Sequence, residues 1–124
     1  MLKKIKYLTA GESHGKGLLG IVNGIPANLE IDERYIKSQL LRRQQGHGRG
    51  KRMKIEKDYA EIYSGVRLGK TIGSPVGLII KNADYDNWMK IMPIDSTNQK
   101  IKEITLPRPG HADLAGIQKF GFTD

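Results

Sequence analysis

The chain has 124 residues, 21 Lys+Arg against 13 Asp+Glu, a formal net charge of +8 and no cysteine. That length suits one domain or part of a larger one, and the lack of thiols excludes disulfides, thiolate catalysis and cysteine-based metal sites. No apolar run reaches the ~20 residues of a membrane span, and the basic start Lys3-Lys4 leads into no apolar signal core. The expected location is therefore the cytoplasm. The positive charge favours anionic partners: nucleic acid, phosphorylated metabolites or anionic lipid. Hydrophobic residues make up 38% and there are 15 glycines, which describes a loop-rich or incomplete chain.

In chain order, Lys3 to Thr9 alternates and predicts a strand. Leu18-Leu19-Gly20-Ile21-Val22 is a continuous apolar run between glycines, which predicts a buried strand ending at Gly24-Ile25-Pro26. Asp32 then reads as a helix N-cap, with Glu33 in the first turn, Ile36 and Leu40 on one face, and Arg42 and Arg43 in the last turn. The helix is predicted over Asp32 to Gln44, with Gly46 as its stop. A strand is predicted from Ala60 to Val66 and another over Val76-Gly77-Leu78-Ile79-Ile80. Asn82 to Ile104 is polar and without period, and reads as an excursion or lid. Ala112 to Phe120 predicts a short helix, preceded by a loop stiffened by Pro107 and Pro109.

Three loops carry chemistry. Gly11-Glu12-Ser13-His14-Gly15 places a histidine between glycines directly after a strand, fixed at one end and open to a ligand. An imidazole with an ordinary pKa near ~6.5 both gives and takes protons at neutral pH, although a solvated turn that happens to contain histidine is the plainer reading. The stretch from Arg42 to Lys57 holds seven Lys+Arg and one Glu, interleaved with Gly46, Gly48 and Gly50. Arginine forks and close backbone approach suit a phosphate or carboxylate, against the alternative of a solvated basic face. Pro107-Arg108-Pro109-Gly110-His111-Ala112-Asp113 presents Arg108 and His111 on a stiff loop, with Asp113 placed to cap the following helix. A Walker A loop is rejected, because Gly17 stands where Ser or Thr should hold Mg²⁺. The three histidines show no ligand spacing, so no metal is expected.

Taken together these stretches resemble chorismate synthase. The Gly-Glu-Ser-His-Gly loop, Gly24-Ile25-Pro26, the Arg-Arg helix end with Gly46 and Arg49, Ser64 to Pro75, and Arg108-Pro109-Gly110-His111-Ala112-Asp113 follow the family's order over nearly the whole chain. The resemblance implies an α/β fold of the α+β sandwich type, a sheet with packed helices. It implies a carbon–oxygen lyase that removes phosphate and a ring hydrogen from 5-enolpyruvylshikimate 3-phosphate in an anti-1,4 elimination. That step closes the shikimate pathway towards the aromatic amino acids. Reduced FMN is the implied cofactor, with NADPH as a possible reductant and no net redox change. By resemblance, His14 corresponds to the acid that meets the leaving phosphate and His111 to the histidine beside the flavin. Arg43 and Arg49 correspond to arginines of both the substrate and nucleotide pockets, and Ser13 and Arg108 join them at the substrate. A cytoplasmic homotetramer acting on a small phosphorylated substrate, not on nucleic acid or membrane, is implied.

Family members are much longer and built from two symmetric halves. Residues 1–124 are accordingly expected to be the N-terminal portion of one domain, stopping before the family's Arg/Ser/Ala-rich flavin-binding stretch. The alternatives are an inactive truncated remnant, a flavin-binding protein without elimination chemistry, a non-catalytic subunit completing another chain's site, and a basic nucleic-acid-binding module using Arg42 to Arg52. The last lacks aromatic residues beside its basic loop.

Overall fold

The computed structural model describes residues 4–44, 58–96 and 100–123. The chain divides into two compact units, Met1–Met92 and Pro93–Asp124. The first holds a four-stranded sheet formed by β1 (Lys6–Ala10), β2 (Gly17–Asn23), β3 (Ala60–Ser64) and β6 (Val76–Lys81) in the order β1-β2-β6-β3. Every pairing in it is antiparallel. β1 and β2 form a hairpin with Leu8 opposite Ile21 and Ala10 opposite Leu19. β2 then pairs with β6 so that Leu18 meets Ile80 and Val22 meets Val76. Both predicted apolar runs are therefore adjacent strands at the centre of the sheet, but β2 is not the buried strand expected: Leu18, Leu19 and Ile21 are 44%, 51% and 48% exposed, because one face of the sheet carries no packed layer among the described residues.

The helix α1 (Glu33–Gln44) starts where the sequence predicts. Asp32 Oδ1 accepts the backbone N–H groups of Arg34 (2.9 Å) and Tyr35 (3.1 Å), two of the donors a helix start leaves without an internal partner. Ile36 and Leu40 are half-buried and line a small gap with Ala60 and Ile62 of β3, so the predicted i, i+4 stripe is the face turned to the sheet. The predicted strand Ala60 to Val66 breaks in two at Gly65, whose φ of 84° suits glycine. A Cβ there would lie 2.5 Å from the Pro75 carbonyl oxygen, so the chain can pass β6 only without a side chain. The following β4 (Val66–Arg67) and β5 (Lys70–Thr71) form a tight hairpin across Leu68 (φ 50°) and Gly69 (φ 73°), the positive-φ pair that a two-residue turn demands.

Thr71 is the anchor of this corner, 2% exposed. Its hydroxyl donates to the Pro26 carbonyl (2.6 Å) and accepts the Leu29 N–H (2.9 Å). Its own N–H and carbonyl pair with Leu29 O (2.9 Å) and Asn28 N (2.8 Å). Among the described residues the one fully buried hydrophobic side chain is Val76, at 5% exposure. The sheet instead presents apolar residues outward, Leu8 at 69%, Leu19 at 51% and Ile21 at 48%, a face without the cover that burial of such residues ordinarily brings.

The stretch expected to be an excursion or lid, Asn82 to Ile104, is not uniform. It opens with a single-turn helix, α2 (Tyr85–Trp88), and its first residues are tied to the loop between β1 and β2. In the second unit, α3 (Asp113–Phe120) ends with Gly121 in the left-handed region, φ 70°, its N–H bonded to Ile117 O. Asp113 is not the cap of this helix. Ala112 stands at that position, and the Asp113 carboxylate turns back to Arg108.

Candidate active site

The site is built on the six-residue connection between β1 and β2. His14 sits there with φ 64°, the left-handed region that only a few per cent of non-glycine residues occupy, at a cost of about 1 kcal/mol. Such strain persists only where surrounding contacts over-determine the backbone, and here they are visible. Gly15 N–H donates to Glu12 O (3.2 Å), Asn82 Nδ2 donates to Gly15 O (2.9 Å), and Asn82 N–H donates to Lys16 O (3.0 Å). Gly15 is buried beneath the loop. At Gly17 a Cβ would overlap the Ile80 carbonyl oxygen, so glycine is what lets this hairpin lie against β6.

The imidazole of His14 stacks on the indole of Trp88, with ring centroids 3.8 Å apart and planes inclined by 20°. The histidine is thus a presented group backed by an aromatic wall. It opens onto a cleft of ≈ 190 Å³ whose wall includes Ser13, Gly17, Arg43, Asp58, Lys81 and Asn82. Arg43 enters from the last turn of α1, and its Nη1 donates to Asp58 Oδ2 at 3.3 Å. That carboxylate holds the long side chain at the cleft edge. Lys81 follows from β6, 3.5 Å from Glu61 on the neighbouring strand. Ser13, His14, Arg43 and Lys81 therefore line one cleft together with the acidic residues Glu12 and Asp58. The set can bind an anion and transfer a proton to it.

Of the residues singled out from sequence, Ser13, His14 and Arg43 come together in this cleft. Arg49, His47 and the rest of the basic loop lie outside the described residues. Arg108 and His111 belong to the second unit. There Arg108 makes a two-pronged pair with Asp113, Nε to Oδ2 at 3.0 Å and Nη2 to Oδ1 at 3.1 Å, while its backbone N–H donates to Oδ2 at 2.9 Å. The side-chain and then the backbone hydrogen bonds from Arg108 pull the Asp113 carboxyl down to about 2. The same pairing raises the Arg108 guanidinium above its ordinary value. His111 N–H bonds back to Arg108 O at 3.3 Å, closing the turn that presents the exposed imidazole. Sequence reasoning missed Asn82, Asp84 and Trp88. The available signals were an Asn-x-Asp pair at a strand end, typical of side-chain-bonded turns, and the i, i+4 spacing of Asp84 and Trp88.

The sequence profile of the family described as chorismate synthase matches residues 5–124. The chain belongs to the chorismate synthase family. Among curated relatives, the chorismate synthase of Pelodictyon phaeoclathratiforme is 59% identical over 121 residues, covering 97% of this chain and 30% of the relative. Those of Chlorobaculum parvum and Trichlorobacter lovleyi are 55% and 54% identical over 121 residues, 97% of this chain and 30% and 31% of the relatives. A solved structure titled "Crystal Structure of Chorismate Synthase" superposes with a TM-score of 0.60 at 51% identity, over 76% of this chain and 26% of that one. The chain thus spans about 30% of the length of the curated relatives it matches, and it corresponds to their N-terminal part. The mixed α/β architecture with its antiparallel sheet is the family's, as the sequence motifs implied.

Proposed function

We propose that the protein carrying this chain is a chorismate synthase, eliminating phosphate from 5-enolpyruvylshikimate 3-phosphate to leave chorismate. The observation that supports it best is His14, held in a strained turn and lining one cleft with Ser13, Arg43 and Lys81, the two cations steadied by Asp58 and Glu61. In the reaction the ring C–O bond to phosphate breaks, the proton at the far end of the allylic system leaves to a base of the complete site, and the C–H electron pair shifts the ring double bond so that a conjugated diene results. The leaving phosphate carries negative charge as it departs. A protonated His14 donates its proton to that oxygen, while Arg43, held by Asp58, and the Ser13 hydroxyl bind phosphate or carboxylate oxygens. Arg49 joins the same anion site. Arg108, its fork oriented by Asp113, presents charge to the substrate from its own loop, and His111 serves the proton inventory near the cofactor.

The family uses reduced flavin. The cleft of ≈ 190 Å³ is smaller than the ~300–1,000 Å³ of a complete ligand pocket, so the described residues form one wall of a larger site. The donors on that wall fit the phosphate of FMN: Arg43 would hold it together with Arg49. When bound, reduced FMN supplies reducing power that is returned within the cycle, leaving no net redox change. NADPH as reductant, a homotetrameric assembly and a cytoplasmic setting complete the reading.

The test is product analysis with the full-length protein, reduced FMN and substrate under anaerobic conditions. Chorismate and phosphate in equal amounts are expected. Flavin oxidation without chorismate would refute the assignment.

A further inference from the structure

The segment from Asn82 to Trp88 lies outside every motif that pointed to function, yet it touches the His14 loop at two places. At the loop's backbone, the Asn82 side-chain Nδ2 donates to Gly15 O at 2.9 Å and the Asn82 backbone N–H donates to Lys16 O at 3.0 Å. Through the side chain, the Trp88 indole stacks on the His14 imidazole at 3.8 Å. The two contacts are wired to each other. Trp88 Nε1–H donates to Asp84 Oδ2 at 2.9 Å. Asp84 accepts Asn87 Nδ2 on its other oxygen at 2.6 Å, and its backbone N–H donates to Asn82 Oδ1 at 3.0 Å. The single turn of α2 is closed behind the indole by Met89 N–H to Tyr85 O (2.9 Å) and Met92 N–H to Trp88 O (2.8 Å). His14, Trp88, Asp84, Asn82 and Gly15 thus form a closed ring of contacts in which neither end of the histidine can shift without moving the other.

We propose that Trp88 is a positioning residue for His14: the indole, locked by Asp84, holds the imidazole in one plane at the wall of the cleft. A histidine on a glycine-flanked loop would otherwise sample several χ1 and χ2 wells. A face-to-face stack at 3.8 Å covers one side of the ring and penalises rotation out of the shared plane. Proton transfer requires heavy atoms within about 2.6–3.2 Å in a productive pose, and small misplacements are costly. Aromatic backing of this kind supplies orientation without competing for the proton, since an indole ring face carries no basic nitrogen. The inference rests on the reading of His14 as the proton donor.

The test uses the full-length protein with Trp88→Leu and Trp88→Phe, reading kcat, KM and the His14 ring protons by NMR. The indole ring current should displace the His14 carbon-bound ring protons upfield. Trp88→Leu should abolish that displacement and cut kcat at least tenfold with KM moved less than threefold. Trp88→Phe, which keeps a stacking face, should retain much of both. Should Trp88→Leu not fold, Asp84→Ala frees the indole N–H in a protein that keeps the ring, and it should weaken the displacement and lower kcat in the same direction. Unchanged kcat in a folded Trp88→Leu protein, a rise in KM that accounts for the whole loss, or unmoved His14 resonances would overturn the proposal. If the unsubstituted protein makes no chorismate, the functional reading falls. The NMR displacement still reports on the stack, so the two failures are distinguishable.

Discussion

Replacing Asn82 by Asp isolates one hydrogen bond at the heart of the site. The carboxylate keeps an oxygen for the Asp84 N–H but has no proton for Gly15 O. Loss of an ordinary hydrogen bond costs about 1 kcal/mol, and leaving the carbonyl of a buried residue facing an acceptor adds about 1–2 kcal/mol. The clamp that holds His14 at φ 64° should therefore weaken by about 2 kcal/mol. The effect is local, so hydrogen exchange reads it best. The Gly15 and Asn82 amides, bonded to Glu12 O and Lys16 O, should exchange about 30-fold faster at 1.4 kcal/mol per decade. Amides of β3 should change little, because the bonds of Asn82 run to the β1–β2 loop and to its own turn. Turnover should fall with the clamp. Protection of the two amides within threefold of the unsubstituted protein, together with unchanged kcat, would refute the claim that Asn82 holds the histidine loop.

His14→Ala should lower turnover by ~10²–10⁴ while flavin binding holds, and a loss below ~10-fold would count against the general-acid role. Arg43→Ala should raise KM at least several-fold; an unmoved KM would remove Arg43 from the anion site. Thr71→Val keeps shape but strips the hydroxyl that serves Pro26 O and Leu29 N, and should destabilise the first unit by about 2–4 kcal/mol in urea titrations. Thr71→Ser, keeping the hydroxyl, should cost markedly less. The Asp113 carboxyl, held down to about 2, remains ionised in the folded state at pH values where an unfolded carboxyl is protonated. Its contribution is whole above about pH 4 and fades as pH falls through about 2. The NMR midpoint of the Asp113 carboxyl carbon should lie near 2, and Arg108→Gln should return it towards the ordinary range. An ordinary midpoint in the unsubstituted protein would show the pair to be loose in solution.

Much of the local structure was legible from sequence because it rests on nearest-neighbour physics. The Asp32 cap, the Ile36 and Leu40 stripe, and the two apolar runs declare helix and strands through spacing and side-chain chemistry alone. The loop that presents His14 was legible too, since a histidine between glycines after a strand is a local pattern. The break at Gly65 was not, because it follows from the approach of the Pro75 carbonyl, a partner ten residues away. Asp113 was misread as a cap because the sequence shows which groups can cap a helix, not which competing partner wins. The Arg108 fork offers that carboxylate three donors, counting its backbone N–H, where a cap offers one or two.

The residues of chain 82–88 mark the same boundary more sharply. Their sequence carries no apolar period and only the local Asn-x-Asp and Asp84/Trp88 spacings, and so reads as a polar excursion. By itself the sequence determined that His14 would be presented on a turn, that Arg43 would end a helix, and which family the motifs resemble. Only the tertiary structure decided that β6 returns beside the β1–β2 hairpin, bringing Asn82 to Gly15 and Trp88 onto the imidazole 74 positions earlier in the chain. Antiparallel pairing is a long-range choice, set by which strand edges find complementary apolar partners, and no window of local sequence contains it.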